Sequence, residues 1–141
     1  MRVTHLRRIA WLLVLCFGSL AAADAPPSEV WVITDRQHPI INLSGARLIE
    51  LDAPARIEAE LAAQLPSNLE QAAVIARQRL IDGGPDLQRR VASAYQGVVD
   101  AWGLGITKIP AVVVNRRYVV YGHSDVAHAL TLISNYRSKN P

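Results

Sequence analysis

Apolar residues fall first into a run, Ile9 to Leu20, and then into patterns whose period alternates between two and 3.6. Val30-Trp31-Val32-Ile33-Thr34 is β-branched, aromatic and apolar between turn formers, and predicts a buried strand. A polar loop, residues 35–44, separates it from a second predicted strand, Leu48-Ile49-Glu50-Leu51. From Asp52 the period lengthens. Asp52 is a candidate N-cap, Pro54 is tolerated in a first turn, and Ile57, Leu61 and Leu65 recur on one face until Pro66. Ser67-Asn68-Leu69-Glu70 matches a capping box, and Leu69, Ala73, Ala76 and Leu80 form the next apolar stripe, closed by Gly83-Gly84. A third helix is predicted from Pro85-Asp86, with Leu87, Val91, Ala94, Val98 and Trp102 on one face and Gly103 as its stop.

The last forty positions return to period two. Residues 110–114 and 118–121 read as strands joined through Asn115-Arg116-Arg117, a connection short enough for an antiparallel hairpin. Gly122-His123-Ser124 turns the chain, and Ser124 is the expected cap of a final helix that buries Val126, Leu130 and Ile133. The separation between Thr34 and Pro110 excludes a hairpin between those strands and suits a helical crossover to a parallel neighbour. The simplest closure is an α/β sandwich with a mixed sheet.

Charge changes the picture only once it is located. Of fifteen Lys and Arg, three (Arg2, Arg7, Arg8) lie in the first eight positions, so the chain from Asp24 onward carries twelve basic and twelve acidic residues. The formal charge of +3 therefore belongs to the leader. A domain that binds nucleic acid by counterion release needs its excess in the folded part, and no nucleic-acid partner is expected. The basic start, the apolar run and Ala21-Ala22-Ala23 before Asp24 have the layout of a secretory signal peptide, which places cleavage after Ala23. The run is too short to span a bilayer as a helix, so no permanent membrane anchor is expected after cleavage. The chain's one cysteine, Cys16, falls inside this run; the exported chain then has no thiol chemistry of its own. The expected organisation is leader 1–23, spacer 24–29, one domain over 30–137 and a tail at 138–141.

Residues 102–114, Trp102-Gly103-Leu104-Gly105-Ile106-Thr107-Lys108-Ile109-Pro110-Ala111-Val112-Val113-Val114, resemble the C-terminal half of thioredoxin-fold proteins, and Tyr118–Gly122 with the following helix continues the match. The likeness implies a thioredoxin-like α/β sandwich: a mixed sheet, a C-terminal β-hairpin and helix, and a helical insertion in the middle. It also implies a cis Ile109–Pro110 bond. A redox thioredoxin carries Cys-x-x-Cys after its first core strand, whereas this chain reads Asp35-Arg36-Gln37-His38-Pro39. Without a thiolate no disulfide is attacked, which excludes oxidoreductase and isomerase chemistry. The whole chain past the leader is similar to the small exported proteins of integrating conjugative elements, related in layout to TrbC-type pilus assembly proteins. The supporting residues are Val30–Asp35, Leu48–Leu51, Thr107–Val114, Tyr118–Gly122 and Asp125-Val126. That resemblance implies a periplasmic accessory role, with protein components of a conjugation or secretion machine as partners. It carries over no catalytic residue and no cofactor.

The thioredoxin-like layout brings three loops to one end of the sheet. Trp31, Asp35, His38, Ile109, Pro110, Gly122 and His123 are accordingly the candidate docking residues, with the residue before the proline offering its backbone to an extended peptide. Asp35, His38, His123 and His128 match no compact metal-ligand spacing. Ser44 and Ser124 lack a nucleophile elbow, and Asp82-Gly83-Gly84-Pro85 is a helix stop and start rather than a phosphate loop. Arg89-Arg90 and Arg116-Arg117 read as solvated surface, and Trp31 and Trp102 as core or its rim. The rival readings are a stand-alone peptide-binding or chaperone-like module and an enzyme using Asp35 and His38 as an acid–base pair.

Overall fold

The computed structural model describes residues 28–43 and 45–140. The leader, most of the spacer and Ser44 lie outside them. Seven elements follow in order: β1 (Val30–Thr34), β2 (Arg47–Glu50), α1 (Ala53–Ala62), α2 (Leu69–Gly103), β3 (Ala111–Val114), β4 (Tyr118–Tyr121) and α3 (Val126–Lys139). The four strands form one mixed sheet in the order β2-β1-β3-β4. It is an α/β sandwich of thioredoxin-like layout, with the C-terminal hairpin and helix and the helical insertion in place.

Strand alternation sorts the side chains to two faces. Trp31, Ile33, Ile49, Ala111 and Val113 pack against Ala101 of α2, with Leu51, Leu104, Ile106 and Ile109 at the margin. Val32 and Val112 face Val126 and Ala129 of α3. The helix α2 comes close to the sheet because residue 97 is glycine. A Cβ there would meet Ile49 Cγ2 at 3.0 Å.

The strand-direction expectation is corrected. β1 pairs with β2 in parallel but with β3 antiparallel, Ile33 opposite Ala111 and Val30 opposite Val114. The ion pair Arg47–Asp100 at 2.7 Å shows why. It places the C-terminal end of α2 beside the start of β2, where a strand parallel to β1 would begin. Instead the chain crosses the α2 face again as an irregular segment, burying parts of Leu104, Ile106 and Ile109, and β3 enters from the opposite end.

Local stops and starts shift by one to three residues, the largest shift being α1, which ends at Ala62 before the expected Leu65 and Pro66, with Gln64 at φ 54°. Asn68, not Ser67, caps α2, its Oδ1 accepting the Gln71 N–H at 3.0 Å. Asp125, not Ser124, caps α3 and accepts from the N–H groups of Ala127 and His128. Asp52 stands at the N-cap of α1 without a side-chain cap bond. α3 continues through the expected tail to Lys139. The Gly83-Gly84 stop survives as a break inside α2, where Gly84 has φ 49° and ψ −148° and Pro85 follows. Trp102 is not core: it is 86% exposed, and Leu87, Gly97 and Ala101 are the residues α2 buries.

Candidate docking site at the loop end of the sheet

The antiparallel register of β1 with β3 and of β3 with β4 brings the end of β1, the start of β3 and the end of β4 together. Ile109–Pro110 is cis, as the resemblance implies. Pro110 is buried and its carbonyl accepts the Gly122 N–H at 2.8 Å. Gly122 has φ +78°, the left-handed region that suits glycine. Among the described residues no backbone hydrogen bond engages Thr107, Lys108 or Ile109. The half-buried Ile109 therefore holds an unpaired amide and carbonyl beside a buried strand.

The loop after β1 closes on itself. Asp35 Oδ1 accepts from the N–H groups of Gln37 at 2.9 Å and His38 at 3.0 Å, and lies 2.6 Å from His38 Nδ1. The Thr34 hydroxyl donates to the His38 carbonyl at 2.7 Å. The hydrogen bond with His38 is the main reason the Asp35 carboxyl sits below its ordinary pKa. These are the contacts of an aspartate-closed turn. Farther on, residues 40–43 dock beside α3. Ile41 N–H donates to the Ser124 carbonyl at 2.9 Å, and Val126 N–H returns a bond to the Ile41 carbonyl at 3.2 Å. Asn42 Nδ2 donates to Asp125 Oδ1 at 3.0 Å. Asp125 thus serves the helix cap and the loop together, and its carboxyl is held below the ordinary range first by Asn42 and then by the cap N–H groups.

That depression fixes a pH dependence. A lowered folded-state pKa contributes stability that is complete above the ordinary Asp range near pH 4 and is lost as pH falls through the lowered value. Asp125→Ala is expected to lower the thermal midpoint at pH 7, and the gap to the unaltered protein should narrow as pH drops below about 4. Melting curves across that range check it; a gap that stays constant down to pH 2 refutes the assignment.

The structure brings Asp35, His38, Ile109, Pro110, Gly122 and His123 to the loop end, but not Trp31. Trp31 pairs with Val113 and Arg47, toward the other end of the strands. Its ring is flanked by the guanidinium groups of Arg47 and Arg116, each 4.6 Å from the ring centre, and its Nε1 donates to Glu29 Oε1 at 2.8 Å. Arg116 is thereby part of a packed cluster and not merely solvated surface. The sequence offered Trp31 as neighbour of the loop only through its nearness to Asp35. A five-residue strand separates its two ends enough to break that inference. Sequence reasoning also missed Asn42 and Asp125. The signal was present, since Asp before an apolar helix caps as well as Ser does.

His123 and His128 stack with ring centres 5.1 Å apart, and no group of three or more metal-ligating side chains occurs among the described residues. No helix among them is long and apolar enough to cross a membrane. A family model described as "Protein of unknown function (DUF1525)" matches residues 27–139. The chain belongs to this family. The DUF1525 match begins just before β1 and ends with α3, so it covers every element that builds the loop end. No curated protein and no solved structure matches the chain.

Proposed function

We propose that this DUF1525 protein is a non-catalytic periplasmic accessory component of a conjugative transfer or type IV secretion apparatus, of the kind carried by integrating conjugative elements. Its work is protein–protein contact. The observation that carries the contact reading is the unpaired backbone of residues 107–109 next to β3, an edge onto which an extended segment of a partner can add main-chain hydrogen bonds. The apparatus is suggested by the sequence resemblance, and the compartment by the leader's basic, apolar and small-residue layout. The only cysteine lies in that leader, which leaves the loop end without a thiol for redox work.

Deleting the gene in a donor strain is expected to depress transfer, and wild-type copies supplied in trans should restore it. A photo-crosslinking residue at Ile109 should capture a secretion-system subunit, whereas the same residue at Arg117, in the turn at the other end of the hairpin, should not. Normal transfer together with no such subunit captured at Ile109 removes this reading. Tight binding of varied unfolded peptides at Ile109 would point instead to a stand-alone peptide-binding or chaperone-like module, which uses the same free backbone.

A further inference from the structure

The first half of α2 presents its apolar residues outward. No residue of α2 before Leu87 is buried. Leu69 is 84% exposed, Val74 67%, Leu80 54% and Ile81 64%. The side turned to α1 is instead held by a polar group, the Arg79 guanidinium, which donates to the carbonyls of Leu61 at 2.7 Å and Ala63 at 2.6 Å. At about 100° per residue, Leu69, Ala73 and Leu80 make one line along the helix, and Val74 and Ile81 make a second line about 100° around from it. Glu70 and Arg77 fall between the two lines, seven residues apart. Both are exposed, and neither forms an ion pair among the described residues.

This charge pattern selects its own partner. We propose that the outward face of residues 69–83 is a homodimer surface, paired antiparallel with the same face of a second copy about a two-fold axis between Ala73 and Val74. In that register Glu70 of each copy lies opposite Arg77 of the other, giving two equivalent ion pairs. A parallel pairing would set Glu70 against Glu70 and Arg77 against Arg77. The flanks also match: Leu69 meets Leu80 of the other copy, and Val74 meets Val74 at the axis. Ala73, next to the axis, lets the two backbones approach closely. The interface is isologous, the commonest kind in homo-oligomers, and it lies on the helical insertion rather than at the loop end.

Sedimentation velocity on the full chain carrying Cys16→Ser tests the pairing. The protein should dimerise at micromolar concentration. Arg77→Glu alone and Glu70→Arg alone each turn two attractions into two repulsions by symmetry, so each should raise the dimer Kd about tenfold or more. The double variant should restore the original Kd. Geometry is checked separately in the same background. Ala73→Cys should form a disulfide between copies on mild oxidation. Leu69→Cys should not, because the two-fold places those positions about nine residues, or about 13 Å, apart along the helices. A monomer at about 100 μM, a dimer indifferent to either single reversal, failure of the double variant to recover, or efficient crosslinking at position 69 overturns the proposal. Protection of the face in a monomeric full chain, lost when residues 1–27 are removed, would overturn it in favour of the leader as the occupant.

Discussion

Ile33→Ala is expected to destabilise the domain by about 2–5 kcal/mol, the usual range for truncating a buried aliphatic side chain to Ala. Ile33 is fully buried on β1, an inner strand, with β2 on one side and β3 on the other. Its side chain shares the α2 face with Trp31, Ile49, Ala101, Ala111 and Val113. Those neighbours sit on four separate elements, so no single shift closes the space that the removed atoms leave. For a domain near 110 residues each kcal/mol moves the thermal midpoint by roughly 4–8 °C, and the expected fall is therefore about 8–40 °C. Differential scanning calorimetry reads it. A fall of a degree or two would mean that β1 is not the centre of the packed sheet.

Gly97→Val is the second large effect, with the opposite sign of volume change. The added Cβ alone would stand 3.0 Å from Ile49 Cγ2, and valine's two methyls must then enter the same contact. Overpacking of this kind costs about 1–3 kcal/mol. Moving α2 away to relieve it would pull on Asp100, whose carboxylate reaches Arg47 one turn farther along. Gly97→Ala is the informative companion. Alanine gains about 1 kcal/mol of helix propensity over glycine, which offsets a contact that Ile49 can relieve by a small shift, so little net change is expected. Gly103→Val, where a Cβ meets nothing within 4 Å, serves as the exposed control. Urea titration of the three variants should rank valine at 97 well below the other two.

The elements were legible because their apolar period is clean. Val30–Thr34, the hairpin strands and the helix break at Gly84 stand where the pattern puts them, whereas α1 stops at Ala62, short of the Leu65 and Pro66 that the apolar spacing includes. What the pattern does not encode is where a long connection re-enters the sheet. Residues 104–110 have no regular period, yet they reverse the direction of β3 by crossing the face once more. The stripe of Leu69, Ala73, Ala76 and Leu80 has helical spacing whether its cover is this chain's core or another molecule. That Leu69, Ala73 and Leu80 are exposed while Ala76 is half-buried depends on what packs around the helix, which spacing does not carry. Asp35, Ile109, Pro110 and Gly122 share one end of the sheet only because β3 runs antiparallel to β1, a direction the sequence spacing does not give. Trp31 lies toward the other end, since its position depends on how far along a strand a residue lies.

Both ends of the described chain depart from the same pole of the molecule. Glu29 accepts the Asn115 N–H at its carbonyl and donates its own N–H to Asn115 Oδ1, and the last turns of α3 lie beside Tyr118, whose ring is 6.4 Å from that of Tyr136. The 107–110 segment occupies the other pole. An affinity tag, a fused reporter or a tether to a surface joined directly after α3 will thus orient the protein with its unpaired backbone facing away from the attachment, which leaves that segment accessible in capture experiments.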